Sequence, residues 1–271
     1  MLFLKRLLDF YINSSIHVAL SVYALVRMTG FLFQITIIEA CASFAFFGTI
    51  VGYNFVKYDA LARTQKLQMR TQLKVIALLS FLSLLMAVYS FLWLERTTQL
   101  IALLFFGITL LYTLPFFPNR KNARNWAGVK IYIVALCWVG VTLVLPIINA
   151  EIPLTTYVFL VAIQRFILIF VLILIFEIID LKWDDPHLKT VPQQIGVKRT
   201  KWVGSLLLVG FLSLEFLDTN FNSQTMTLKS GVAITVFLFL LFANQKQSKY
   251  YSSFWAESIP VLWWVLLLLF G

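Results

Sequence analysis

The sequence predicts an all-α, polytopic membrane protein: about nine transmembrane helices in one bundle, forming a single domain over residues 1–271. Three observations predict it. Hydrophobic residues make up 61% of the chain and charged residues 13%, against roughly 45–50% and about 25% in soluble domains. Apolar stretches long enough to cross a bilayer, about 20 residues each, follow one another with short connections, which leaves no length for a second, soluble domain. Lysine and arginine collect in alternate connections.

The apolar runs occupy 14–33, 34–58, 74–94, 98–117, 129–148, 154–180, 202–217, 228–242 and 252–270. Residues 1–13 carry Lys5, Arg6 and Asp9 with no small-residue cleavage site, so they read as a cytoplasmic leader lying along the interface rather than a signal peptide. The connections after the second, fourth, sixth and eighth runs hold Arg63, Lys66 and Arg70; Arg120, Lys121 and Arg124; Lys182, Lys189, Lys198, Arg199 and Lys201; and Lys246 and Lys249. The others hold Arg96 and Lys229 beside Glu95, Glu151, Glu215 and Asp218. With Lys5 and Arg6, this bias places the amino terminus and the basic connections in the cytoplasm and the carboxyl terminus outside. The net charge of +10 is then topology, and nucleic acid is not an expected partner. Cys41 and Cys137 fall inside apolar runs and read as packing residues; His17 and His187 make no metal spacing.

Polar groups gather at the cytoplasmic ends of particular runs. The sixth closes with Glu177, Asp180, Asp184 and Asp185. On a continuing helix Glu177, Asp180 and Asp184 share one stripe. Carboxylates so placed repel unless a cation neutralises them, and hard oxygen ligands suit Mg²⁺ bridging to a phosphate. Carboxylates at membrane depth default to a functional reading. Residues 181–201 read as a cytoplasmic loop, long for this chain and so a candidate for function. At the end of the second run Asn54, Lys57 and Tyr58 share a helix face that suits an anion, while Asp59 is turned away. Tyr112, Arg120, Lys121, Arg124 and Lys130 add a basic rim.

These residues resemble the UbiA family of intramembrane prenyltransferases. Asp180-Leu181-Lys182-Trp183-Asp184-Asp185, then Lys189-Thr190-Val191-Pro192 and Gly196, are similar to the family's second aspartate-rich motif and the KTLPxxxG segment after it. Leu111-Tyr112-Thr113 with Arg120-Lys121 is similar to its Tyr-Ser and Lys-Arg element. The first motif, NDxxDxxxD, is reduced to Asn54, with Phe55, Tyr58 and Ala62 where the aspartates belong. The resemblance implies Asp180 and Asp184 as catalytic, Mg²⁺-holding residues with Glu177 and Asp185 as further ligands. It implies Asn54, Lys57, Arg120, Lys121 and Lys130 on the diphosphate of an isoprenoid donor, and Tyr58 or Tyr112 orienting a lipophilic acceptor.

Three functions follow as expectations. The first is transfer of a prenyl group to an aromatic or other lipophilic acceptor. The second is a non-catalytic prenyl-lipid-binding or scaffolding relative. The third is a small transporter, built on the intramembrane charges Glu39, Arg165 and Glu257. Arg165 stands about 22 Å along its helix from Asp180 at 1.5 Å per residue, a position that reads as pairing or headgroup anchoring near the opposite membrane face.

Overall fold

The computed structural model describes residues 2–64, 71–113, 128–184, 188–218 and 222–270, which fold into helices with no strand among them. The helices are α1 (Leu2–Asn13), α2 (Ile16–Leu32), α3 (Glu39–Thr64), α4 (Thr71–Leu92), α5 (Arg96–Thr113), α6 (Lys130–Val139), α7 (Leu145–Asn149), α8 (Thr156–Asp180), α9 (Val191–Ile195), α10 (Val197–Ser213), α11 (Ser223–Phe242) and α12 (Ile259–Phe270). Among the described residues, each apolar run lies mostly on a helix. Six stretches of the described residues are long and apolar enough to cross a membrane, or seven if the bent pair of α1 and α2 counts as one. The expected nine is not confirmed by this count of the described residues. The described apolar part of α5 is short of a full span.

The amino-terminal leader is a helix whose exposed Phe3, Leu4 and Leu7 share it with Lys5 and Arg6. It meets α2 at 57° through Ser15, whose left-handed φ of 62° breaks the helical path. Residues 181–201, expected as a loop, instead hold α9 and the first turn of α10. Pro192 at the start of α9 and the Thr190–Gln193 capping box initiate the short helix, and Gly196 at φ 80° ends it.

Two helices change pitch where proline removes a donor. A π-turn over Gly140–Val144 joins α6 to α7 ahead of Pro146, and another over Tyr251–Ala256 leads into α12 ahead of Pro260. Helix α8 is central: Leu168, Val171, Leu174, Ile175 and Ile178 are fully buried, packed with residues of α2, α6, α10, α11 and α12 in the largest apolar cluster. Gly140 allows α5 its closest approach, since a Cβ there would sit 2.2–2.5 Å from the Phe105 ring. Large apolar side chains of α4, α5, α10 and α12 point outward, as a lipid-facing surface requires.

Candidate functional site

The carboxylates of α8 gather at its carboxyl end with the first residue of α6. Glu177 is 3% exposed, and its Oε2 accepts the Val191 backbone N–H of α9 at 3.1 Å. That bond satisfies an amide at a helix start, where no intrahelical acceptor exists. Asp180 is exposed, and its backbone carbonyl accepts the N–H groups of Trp183 at 2.7 Å and Asp184 at 3.0 Å. The turn so formed folds Asp184 back, and the carboxylates of Asp180 and Asp184 act on each other as like charges. Lys130 lies close enough for its charge to act on both Glu177 and Asp180. Asp184 Oδ2 is buried without a hydrogen-bond partner. No three His, Cys, Asp or Glu side chains among the described residues form a group able to hold a metal alone. A cation here would share the carboxylates with water and phosphate oxygens, the manner in which Mg²⁺ is commonly held.

The α3 residues are engaged elsewhere. Asn54 donates from Nδ2 to the Ser14 carbonyl at 3.0 Å and to Ser80 Oγ of α4 at 2.9 Å. Tyr58 donates to the Asn13 carbonyl at 2.9 Å. Lys57 Nζ lies 3.4 Å from the Ile12 carbonyl and 3.5 Å from Ser15 Oγ. Three donors thus take three consecutive carbonyls at the end of α1, where the helix leaves its last carbonyls unpaired. One acceptor remains: Asn54 Oδ1 is buried and unpartnered. The counter-charge to Lys57 is Glu257, between the π-turn and α12. Its turn is tied to α2 through Ser21, which donates to the Glu257 carbonyl, and through His17, whose Nε2 lies 2.9 Å from the Phe254 carbonyl and 3.1 Å from Ser258 Oγ.

Sequence reasoning overlooked that link between α2 and α12, because 237 residues separate His17 from Phe254 and neither position carries a motif. Arg120, Lys121, Arg124 and Asp185 lie outside the described residues, as do the side chains of Tyr112 and Asp59. The structure thus brings together Lys130, Glu177, Asp180 and Asp184, and separately Asn54, Lys57 and Tyr58.

Arg165 anchors no headgroup: it is 2% exposed. Its Nη1 donates to the carbonyls of Leu25 at 3.2 Å and Thr142 at 2.7 Å and to Thr29 Oγ1 at 2.6 Å. The Thr142 carbonyl is free for this because Pro146, four residues on, has no N–H. Glu39 pairs with Arg27. A further ion pair, Glu215 with Lys229, is buried and shares Gln164.

No protein-family profile matches the sequence, and no curated protein does. Solved structures do. An apo UbiA homologue from Aeropyrum pernix K1 superposes with a TM-score of 0.65 at 12% identity, over 94% of this chain and 96% of that one. A UbiA homologue from Archaeoglobus fulgidus bound to Cd²⁺ gives 0.60 at 14%, over 95% and 98%. Another structure of a UbiA homologue from the same organism gives 0.53 at 12%, over 97% and 94%. With helices matched over nearly their whole length, this chain has the UbiA-like fold.

Proposed function

We propose that the protein is a UbiA-like intramembrane prenyltransferase, binding an isoprenoid diphosphate at the basic end of the bundle and transferring its prenyl group to an aromatic or other lipophilic acceptor. The observation that supports this most is the end of α8, where Asp184 keeps a buried, unpartnered oxygen beside Asp180 with Lys130 adjacent. In this reading Asp180 and Asp184 hold Mg²⁺. What Mg²⁺ supplies when bound is neutralisation of the leaving diphosphate. Lys130 adds a fixed positive charge there, and Glu177 positions α9 through Val191. The allylic C–O bond breaks with its electron pair on the diphosphate, the acceptor carbon bonds to the prenyl carbon, and the acceptor loses a proton. One structural neighbour is bound to Cd²⁺, a divalent cation. The basic end is assigned to the cytoplasm by the lysine and arginine bias.

A second reading, a non-catalytic prenyl-lipid-binding relative, is favoured by α3. Its Asn54, Lys57 and Tyr58 hold the α1–α2 turn, which leaves them poorly placed to share a diphosphate with α8. The transporter reading loses its basis, because Glu39, Arg165 and Glu257 have three separate sets of partners.

The test uses the purified protein in nanodiscs with geranyl or farnesyl diphosphate, with and without Mg²⁺, measuring binding and diphosphate release. Mg²⁺-dependent binding and release, both lost in Asp180→Asn, support the transferase. Binding without release supports the second reading. Absence of binding, with Asp180→Asn silent, rejects both.

A further inference from the structure

Helix α1 separates its side chains by chemistry. At about 100° per residue, Phe3, Leu4 and Leu7 fall within one arc, and Lys5, Arg6, Asp9 and Asn13 within another on the opposite side. The apolar arc is open: Phe3 is 72%, Leu4 69% and Leu7 50% exposed. The polar arc is fastened to the bundle. Asp9 accepts the Tyr250 hydroxyl at 2.6 Å and lies 3.4 Å from Lys249 Nζ, and the Asn13 carbonyl takes Tyr58. These contacts fix the rotation of α1 about its axis and keep Phe3, Leu4 and Leu7 facing away from the protein.

The helix also has a defined depth. It runs into α2, whose 17 residues span about 25 Å at 1.5 Å per residue, less than the roughly 30 Å of hydrocarbon in a bilayer. The bend at Ser15 therefore stands at the edge of the hydrocarbon, and the 57° turn carries α1 obliquely through the headgroup layer. Lys249 and Tyr250 belong to the basic connection between α11 and α12, so α1 lies at the basic end of the bundle. Asp9 is the one acidic residue of α1 and is matched by Lys249. Lys5 and Arg6 flank it on either side and are exposed.

We propose that α1 docks on anionic phospholipid in the leaflet at the basic end of the bundle. Phe3, Leu4 and Leu7 enter the acyl region, while Lys5 and Arg6 reach the phosphates of negatively charged headgroups, the placement favoured by a helix with a basic polar face. Zwitterionic headgroups carry phosphate too, but each brings its own ammonium. A net negative surface is what attracts the two cations. This docking is independent of prenyl transfer.

The test is hydrogen exchange of the full chain in nanodiscs of phosphatidylcholine alone and of equal parts phosphatidylcholine and phosphatidylglycerol. A basic residue beside an anionic surface changes attachment roughly fivefold, so two of them should slow exchange in residues 2–13 about tenfold or more in the mixed discs. Exchange in α8 should be the same in both. Lys5→Gln combined with Arg6→Gln should remove the lipid dependence. Phe3→Ser combined with Leu4→Ser should speed exchange of α1 in both kinds of disc. Equal exchange of α1 in the two discs, or a lipid dependence that survives the paired charge substitutions, overturns the preference for anionic lipid. Exchange unchanged by the paired serine substitutions means that something other than acyl chains covers the apolar arc, and overturns the docking itself.

Discussion

Tyr58 on α3 donates its hydroxyl to the Asn13 carbonyl, 2.9 Å away, at the last residue of α1. The contact joins a residue expected on a substrate to the leader helix, and it gives that helix a fixed attachment. Helix α1 is only 12 residues long, too short to be stable alone in water, and its apolar Phe3, Leu4 and Leu7 are exposed. Its position depends on the α3 donors and on the interface it lies against.

Removing those donors should loosen α1 before it affects the bundle. Tyr58→Phe is expected to cost about 1 kcal/mol, a typical net hydrogen bond. Asn54→Leu, which loses two bonds, should cost about twice that. Hydrogen exchange of residues 2–13 reports it directly, with faster exchange in both variants and unchanged exchange in α8. Protection of α1 equal to that of the parent protein in both would show that the clamp does not hold the helix.

The buried pair of Glu215 and Lys229 gives a larger effect. Both side chains are almost completely enclosed, so removing one leaves a charge without a partner. Lys229→Met should therefore lose about 3–5 kcal/mol. Adding Glu215→Leu should recover most of it, although Gln164 then loses an acceptor. The comparison is made by thermal unfolding in detergent. A double variant no more stable than Lys229→Met would mean that the carboxylate is not what the lysine neutralises.

Much of this architecture was legible in the sequence, because in lipid an apolar run of sufficient length has to satisfy its backbone as a helix. The described part of each apolar run is mostly helical for that reason. Glu177 and Asp180 were legible as neighbours on one helix, whereas Asp184 joins them through the turn after Asp180 rather than on the continuing helix the sequence suggested; Lys130 was legible as part of the basic rim. The face of Asn54, Lys57 and Tyr58 was legible as a donor surface, but its acceptors were not. Backbone carbonyls leave no trace in residue identity, and those of Ile12, Asn13 and Ser14 lie about 40 residues upstream. The start of α10 was missed for a similar reason: Lys198, Arg199 and Lys201 interrupt the apolar run while the helix continues through them.

Helix contact at Gly140 is a third test. A methyl group there meets the Phe105 ring, and a rigid ring between two helices has little room to retreat. Gly140→Ala is expected to destabilise by about 1–3 kcal/mol, the range for overpacking. Phe105→Leu in the same chain should relieve it, so that the two changes are non-additive in a double-mutant cycle. Additive losses measured by thermal unfolding would place the ring away from Gly140.

Arg165 and Pro146 form the last pair. Arg165 is buried with Nε and Nη2 unpartnered, and each unsatisfied buried group costs about 1–3 kcal/mol. Its remaining nitrogen takes a carbonyl, that of Thr142, which Pro146 has freed from the helical ladder. If the guanidinium serves only to satisfy that carbonyl, Arg165→Met should be neutral or stabilising, because Thr29 Oγ1 already donates to the same oxygen at 2.7 Å. Pro146→Ala restores an N–H four residues from Thr142 and lets the ladder close across the π-turn, taking the carbonyl from Arg165. That change should lower stability in the parent protein and not in the Arg165→Met background, a coupling of about 1 kcal/mol. Thermal unfolding of the four proteins measures it. A loss above about 3 kcal/mol in Arg165→Met alone would instead mark the arginine as the partner of an anion bound inside the bundle.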